Sequence, residues 1–166
     1  MTIDEIDASS DDELFVLLKN ALEQQITAHP ASPEFITQIR GLPVGLRAMA
    51  ATHQLDVSLT LDDLGWHFGN WHSLELAEET ALGFDELKAV ELAMIFREAF
   101  RLAQNYWTEL GTENWTQWYH GSEFQQVIKP IDEKARCLLD TKKRGLFDYW
   151  LSYARHFPER VGAIET

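Results

Sequence analysis

Residues 85–110, DELKAVELAMIFREAFRLAQNYWTEL, decide the fold class. Leu87, Val90, Met94, Ile95, Ala99, Leu102, Tyr106 and Leu110 recur mostly at steps of three and four, the period of a helix with one apolar face. Gly83 is placed to end a preceding helix, Asp85 to cap this one and Gly111 to stop it. Glu91 with Arg97, and Glu98 with Arg101, set opposite charges along its exposed sides.

Helical signals continue on both sides of this stretch. Residues 73–82 form a glutamate-rich helix, and residues 44–57 carry Leu46, Met49, Ala50, His53 and Val57 on one face. Ser32-Pro33-Glu34 opens a helix with proline in the first turn, ended by Gly41. Ser10 and Glu13 form a capping box for a helix reaching residue 28, with Leu14, Phe15, Leu18, Leu22 and Ile26 inward. Asp11, Asp12 and Glu13 suit the dipole of its first turn. Between these lies TLDDLGWHFGNWH (60–72), where two glycines and a DD pair predict a packed loop or short helix that buries Trp66, Phe68 and Trp71. Downstream, residues 112–120 give a short aromatic helix, residues 122–128 another, and Pro130 restarts a helix through Asp140. Gly145 separates this from a last helix at 146–156, with Phe147, Trp150 and Tyr153 inward. Strand-like alternation is absent. The expectation is an all-α protein: one compact domain of seven to nine helices over 10–160, a flexible acidic leader at 1–9 and a C-terminal tail at 161–166.

The chain has 166 residues, 45% of them hydrophobic, with six Trp, nine Phe and four Tyr, which excludes an acidic disordered tail. Its one cysteine, Cys137, has no internal disulfide partner and reads as a helical core position. No apolar run approaches the roughly 18 residues of a membrane helix. The acidic N-terminal stretch lacks the basic and apolar regions of a signal peptide, so a cytoplasmic location is expected. The net charge of −13 falls within residues 1–100, which hold 18 Asp and Glu against five Lys and Arg, while residues 101–166 are balanced. Such a field attracts basic partners and repels nucleic acid and anionic membranes.

Few residues suggest catalysis. His67 and His72, with Asp62, Asp63 and Glu75 nearby, are the one His/carboxylate group of metal-ligand type, the basis for reading the chain as a metal-dependent helical enzyme. Their spacing of five does not place two ligands on one helix face, and no HExxH pair occurs, so structural histidines and no bound metal are expected. There is no GxSxG, no Cys–His pair in a nucleophile context and no phosphate-binding glycine loop. Lys142-Lys143-Arg144 reads as a helix C-terminus answering its dipole. A non-enzyme without cofactor follows.

The acidic residues offer more. Carboxylates three or four apart on a helix are separated by about 4.5–6 Å along the axis, similar to neighbouring phosphates of a DNA strand. Glu75, Glu78 and Glu79 have that spacing, and Asp62, Asp63, Asp85 and Glu86 extend the array. Held rigidly, they suit a Lys/Arg surface that normally grips DNA.

Leu55-Asp56-Val57 followed by Asp62-Asp63-Leu64-Gly65-Trp66-His67-Phe68, then the 84–100 helix and the closing LFDYWLSYARHFP at 146–158, resembles the bacterial DNA-mimic protein family, an all-helical group long classed as a domain of unknown function. The likeness spans residues 42–160 and departs from the family pattern at Leu64, in place of a glycine, and at Phe68, in place of a polar residue. The resemblance implies an inhibitor of a basic DNA-binding protein that occupies the partner's nucleic-acid surface without binding DNA itself. An immunity or antitoxin protein that neutralises a basic bacterial toxin would need the same acidic face. A homodimer is compatible with the sequence.

Overall fold

Side-chain caps divide the chain into short helices. The structure, a computed structural model, describes residues 1–162. Thr2 and Ser10 open α1 (Ile3–Ala8) and α2 (Asp11–Glu23) through capping boxes with Glu5 and Glu13. Ser32 caps α3 (Pro33–Arg40), and Pro43 precedes α4 (Val44–Leu61). Asp63 caps α5 (Leu64–Asn70) and Ser73 caps α6 (Leu74–Glu86). Then come α7 (Val90–Gln104), α8 (Trp107–Leu110), α9 (Trp115–Tyr119), α10 (Glu123–Asp140), α11 (Phe147–His156) and a 3₁₀ turn at Pro158–Val161. The protein is all-α: eleven α-helices among the described residues, eight of them of seven residues or more, and no strand. None of these helices is long and apolar enough to cross a membrane.

The core has two lobes. Leu14, Leu18, Phe35, Ile39, Met49 and Trp150 lie in the first, and Phe68, Phe84, Phe96, Tyr119, Phe124 and Ile128 in the second. Two helices serve both lobes: α4 gives Met49 to one and Leu55 to the other, and α6 gives Leu76 and Phe84. Their crossing explains Gly83, which lies inside α6 rather than ending it. A Cβ there would meet the Ala48 carbonyl oxygen at 3.0 Å and Thr52 Cγ2 at 3.1 Å, so glycine lets the two backbones approach.

The 85–110 stretch is divided instead of continuous. Lys88 adopts φ 60°, the one positive-φ non-glycine residue among those described. Ala89 N–H donates to the Phe84 carbonyl and Lys88 N–H to that of Asp85, a Schellman stop at which glycine is the usual residue. The inner face of α7 is rotated from the expected stripe. Leu92, Ala93, Phe96, Ala99 and Ala103 are buried, Ile95 is half-buried, and Val90 and Met94 are 63% and 67% exposed. Alanines flanking one Phe let neighbouring helices come close, and this packing outweighs the hydrophobicity of Val90 and Met94.

Other expectations are also corrected. α10 passes through Pro130 without restarting. Cys137 is exposed, not core. Trp66 and Trp71 are half-buried; Trp66 sits edge-on to Trp115 with ring centroids 5.5 Å apart. Phe68, Trp150 and Tyr153 are buried as expected. Residues 1–9 are not a flexible leader: Ile6 is fully buried, and Arg155 donates to the carbonyls of Ile6 and Ser9. Val161 is buried too, while residues 163–166 of the expected tail lie outside the described residues. Arg144 reaches Asp11 at 3.2 Å and Asp12 at 2.7 Å, so its role is a long-range ion pair rather than a reply to the α10 dipole. Arg97 and Glu98 pair with Asp85 and Lys134, not with Glu91 and Arg101.

Candidate functional site

α6 starts where the Ser73 hydroxyl accepts from Leu76 N–H. At about 100° per residue, Glu75, Glu78, Glu79, Asp85 and Glu86 all fall within roughly a third of its circumference. The sector is graded from inside to outside. Glu79, on the inner edge, is 4% exposed and clasped by two arginines: its Oε1 accepts from Arg40 Nε at 2.8 Å and Arg47 Nη2 at 2.7 Å, its Oε2 from Arg47 Nε at 2.7 Å. Glu86 is also on this edge, accepting from the Tyr153 hydroxyl and lying 3.0 Å from Arg160. Glu75 is exposed and shares Arg40 at 2.9 Å, Asp85 takes a two-point contact from Arg97, and Glu78 is exposed with no ion pair among the described residues.

Seven carboxylates were expected to present one outward array. The structure corrects this for Glu79, which ties α6 to α3 and α4, and for Glu86, which ties it to α11 and the 3₁₀ turn. No local pattern points to the arginines responsible, because Arg40 lies 39 residues from Glu79 and Arg160 lies 74 from Glu86.

Burial would raise the Glu79 pKa, but the hydrogen bonds from Arg47 and Arg40 outweigh it and hold the carboxyl below its usual range. A carboxyl whose folded-state pKa is depressed adds stability above its unfolded value, and that stability is lost as pH falls through the folded-state value. Glu79→Gln is therefore expected to lower unfolding free energy near pH 7 by about 1.5–3 kcal/mol, the range for hydrogen bonds to charged groups. The difference from the parent should shrink on acidification, as denaturant titrations at stepped pH would show. An equal deficit at every pH would mean that the loss comes from packing.

Asp62 and Asp63 lie elsewhere, at the α4–α5 turn. Asp63 Oδ1 accepts from Trp66 N–H and from the Tyr119 hydroxyl, both at 2.7 Å. Burial, with the Asp63 contact next, raises the Tyr119 pKa. Asp62 is exposed; burial and then the neighbouring Asp63 charge raise its pKa. The turn is clamped from α10. Asp132 accepts from Leu64 N–H at 2.9 Å and from Arg136 Nε at 2.7 Å, while Arg136 also donates to the carbonyls of Leu59 and Asp62. The i, i+4 spacing of Asp132 and Arg136 is the local signal of this clamp in the sequence. Asp63 and Asp132 line a shallow cleft with Gln125, Gln126 and Lys129, whereas Glu79, Asp85 and Glu86 line another with Arg47 and Lys88. The carboxylates thus occupy two separate surroundings.

The two histidines do not converge. His67 is 1% exposed, with Nδ1 3.0 Å from Ser58 Oγ and its ring edge-on to Phe68 and Phe96; burial pushes its pKa down to about 3. His72 is exposed, stacks on Trp107 at 4.4 Å and places Nε2 2.8 Å from that residue's carbonyl oxygen. Among the described residues, no three His, Cys, Asp or Glu side chains come together as a metal-holding group.

Fold and surface define an acidic all-α protein. No family model matches the chain, and no curated protein or solved structure matches it.

Proposed function

We propose that this chain is a non-catalytic, acidic protein-binding module that acts as a DNA mimic, occupying the basic nucleic-acid-binding surface of a DNA-binding protein in the cytoplasm. One observation carries the reading: seven of the eight arginines are engaged by groups of the chain itself. Arg40, Arg47, Arg97, Arg136, Arg144, Arg155 and Arg160 each bind carboxylates of the chain itself, and Arg136 and Arg155 also hold backbone carbonyls. Pairing leaves the net charge of −13 unchanged and leaves few free cations to oppose exposed carboxylates such as Glu78 and Asp62. A basic surface approaching α6 meets Glu75 and Glu78 about one helical turn apart on a rigid support.

The resemblance of residues 55–68 to the DNA-mimic family favours a DNA-binding protein over a toxin as the partner. The immunity reading uses the same carboxylates, and the partner's identity separates the two. Asp62→Asn, Glu75→Gln and Glu78→Gln together should weaken capture of a basic partner from host extract far more than any one of them. Because Glu79, Asp63 and Glu86 are kept, the melting temperature should hold or rise slightly as repulsion is relieved. Undiminished capture by the threefold variant would move the contact away from these residues.

A further inference from the structure

A cavity of about 240 Å³ opens between α2, α3, α4 and α11, and none of its lining residues belongs to the acidic array. Phe15, Leu22, Phe35 and Trp150 form apolar walls, and four polar side chains reach it: Lys19, Glu23, His53 and Gln54. Lys19 and Glu23 lie 3.5 Å apart at the exposed rim and balance each other's charge. His53 sits 5.8 Å from the Trp150 ring, and burial, its largest influence, lowers its pKa and favours the uncharged ring. Gln54 is the unusual group. It is 8% exposed and its carbonyl accepts from Ser58, yet its side-chain amide has no hydrogen bond among the described residues. Among the described residues no fully enclosed side-chain polar atom lacks a partner, so the Gln54 amide is open to the cavity.

An amide on the wall of an open cavity takes its hydrogen bonds from water there, and a ligand edge that matches its donor and acceptor can replace that water. The donor and acceptor of Gln54 stand side by side, which matches the paired acceptor and donor of another amide edge. The aromatic walls suit a flat ring. Charge argues for a neutral molecule, since the rim ion pair cancels and the overall −13 opposes anions. We propose that this cavity is a binding site for a small, uncharged planar molecule bearing an amide or lactam edge, with Gln54 as the residue that selects it.

The test titrates the full chain with benzamide, with benzoate as its anionic counterpart and toluene as its apolar one, following the Gln54 side-chain NH₂ and Trp150 indole NH signals by NMR. Benzamide should shift both saturably and bind more tightly than either analogue. Gln54→Leu should weaken benzamide by about tenfold, a change of about 1.4 kcal/mol, and leave toluene within about twofold. Gln54→Met serves the same purpose if the leucine variant does not fold. Absence of a saturable benzamide shift overturns the proposal. So does tighter binding of benzoate, which would make Lys19 the selecting group. Equal binding of toluene and benzamide, unchanged by either variant, would reduce the site to an apolar void and overturn it too.

Discussion

Asp132→Ala is expected to be among the most damaging single substitutions, costing about 3–5 kcal/mol, because it leaves the buried Leu64 N–H without an acceptor and a half-buried guanidinium without its anion. Asp132 is 7% exposed and joins three elements: it accepts from the first N–H of α5 and from Arg136, which in turn holds the carbonyls that end α4. Removing the carboxylate strands the Leu64 N–H and an arginine whose remaining contacts are carbonyls. Asp132→Asn, which keeps an acceptor for Leu64, should lose clearly less. Asp140→Ala, at the exposed end of the same helix, should change stability by no more than about 0.5 kcal/mol. Urea unfolding followed by far-ultraviolet circular dichroism gives all three values. A deficit below about 1 kcal/mol for Asp132→Ala would show that the α4–α5 turn holds its shape without the clamp.

Trp150→Ala should cost a similar amount, about 3–5 kcal/mol, by a different mechanism. Its ring is 1% exposed, packs edge-on against Phe147 at 5.0 Å and donates Nε1–H to Thr52 Oγ1 at 3.1 Å. Thr52 keeps its bond to the Ala48 carbonyl after the change, so the loss is mainly of buried apolar area and the void left behind. A fall of about 10 °C in melting temperature is expected for a chain of this size. Trp150→Phe should recover most of it. If alanine and phenylalanine variants melt alike, the indole N–H rather than the ring volume is the stabilising element.

What could be read from the sequence was what local chemistry decides. Ser10 and Ser32 cap helices that start where they predict, because a cap and its N–H lie three residues apart. The all-α class followed from periodicity for the same reason. The failures are tertiary. Val90 and Met94 look like core residues, but the close approach built from Ala93, Phe96 and Ala99 turned them outward. Lys88 takes a left-handed position with no glycine to announce it, and Gly83 announces a stop that a helix crossing converts into a contact. The candidate site suffered most. Spacing put Glu75, Glu78 and Glu79 on one helix sector, but it gave Asp85 to the next helix as a cap, whereas Asp85 and Glu86 end α6. It could not tell which carboxylates point inward, since that depends on Arg40, Arg47 and Arg160 arriving from other helices.

The partner-binding claim is tested most directly by competition. A basic protein captured from host extract is loaded with labelled duplex DNA, and the chain is titrated in at increasing salt. A DNA surrogate displaces the duplex, shows no affinity for DNA by itself, and loses affinity steeply as salt rises, because many screened charge pairs drive the association. The variant neutralised at Asp62, Glu75 and Glu78 should require far higher concentrations to displace the same DNA. A partner that keeps its DNA while bound to this chain, or a complex equally tight at high salt, would contradict the account.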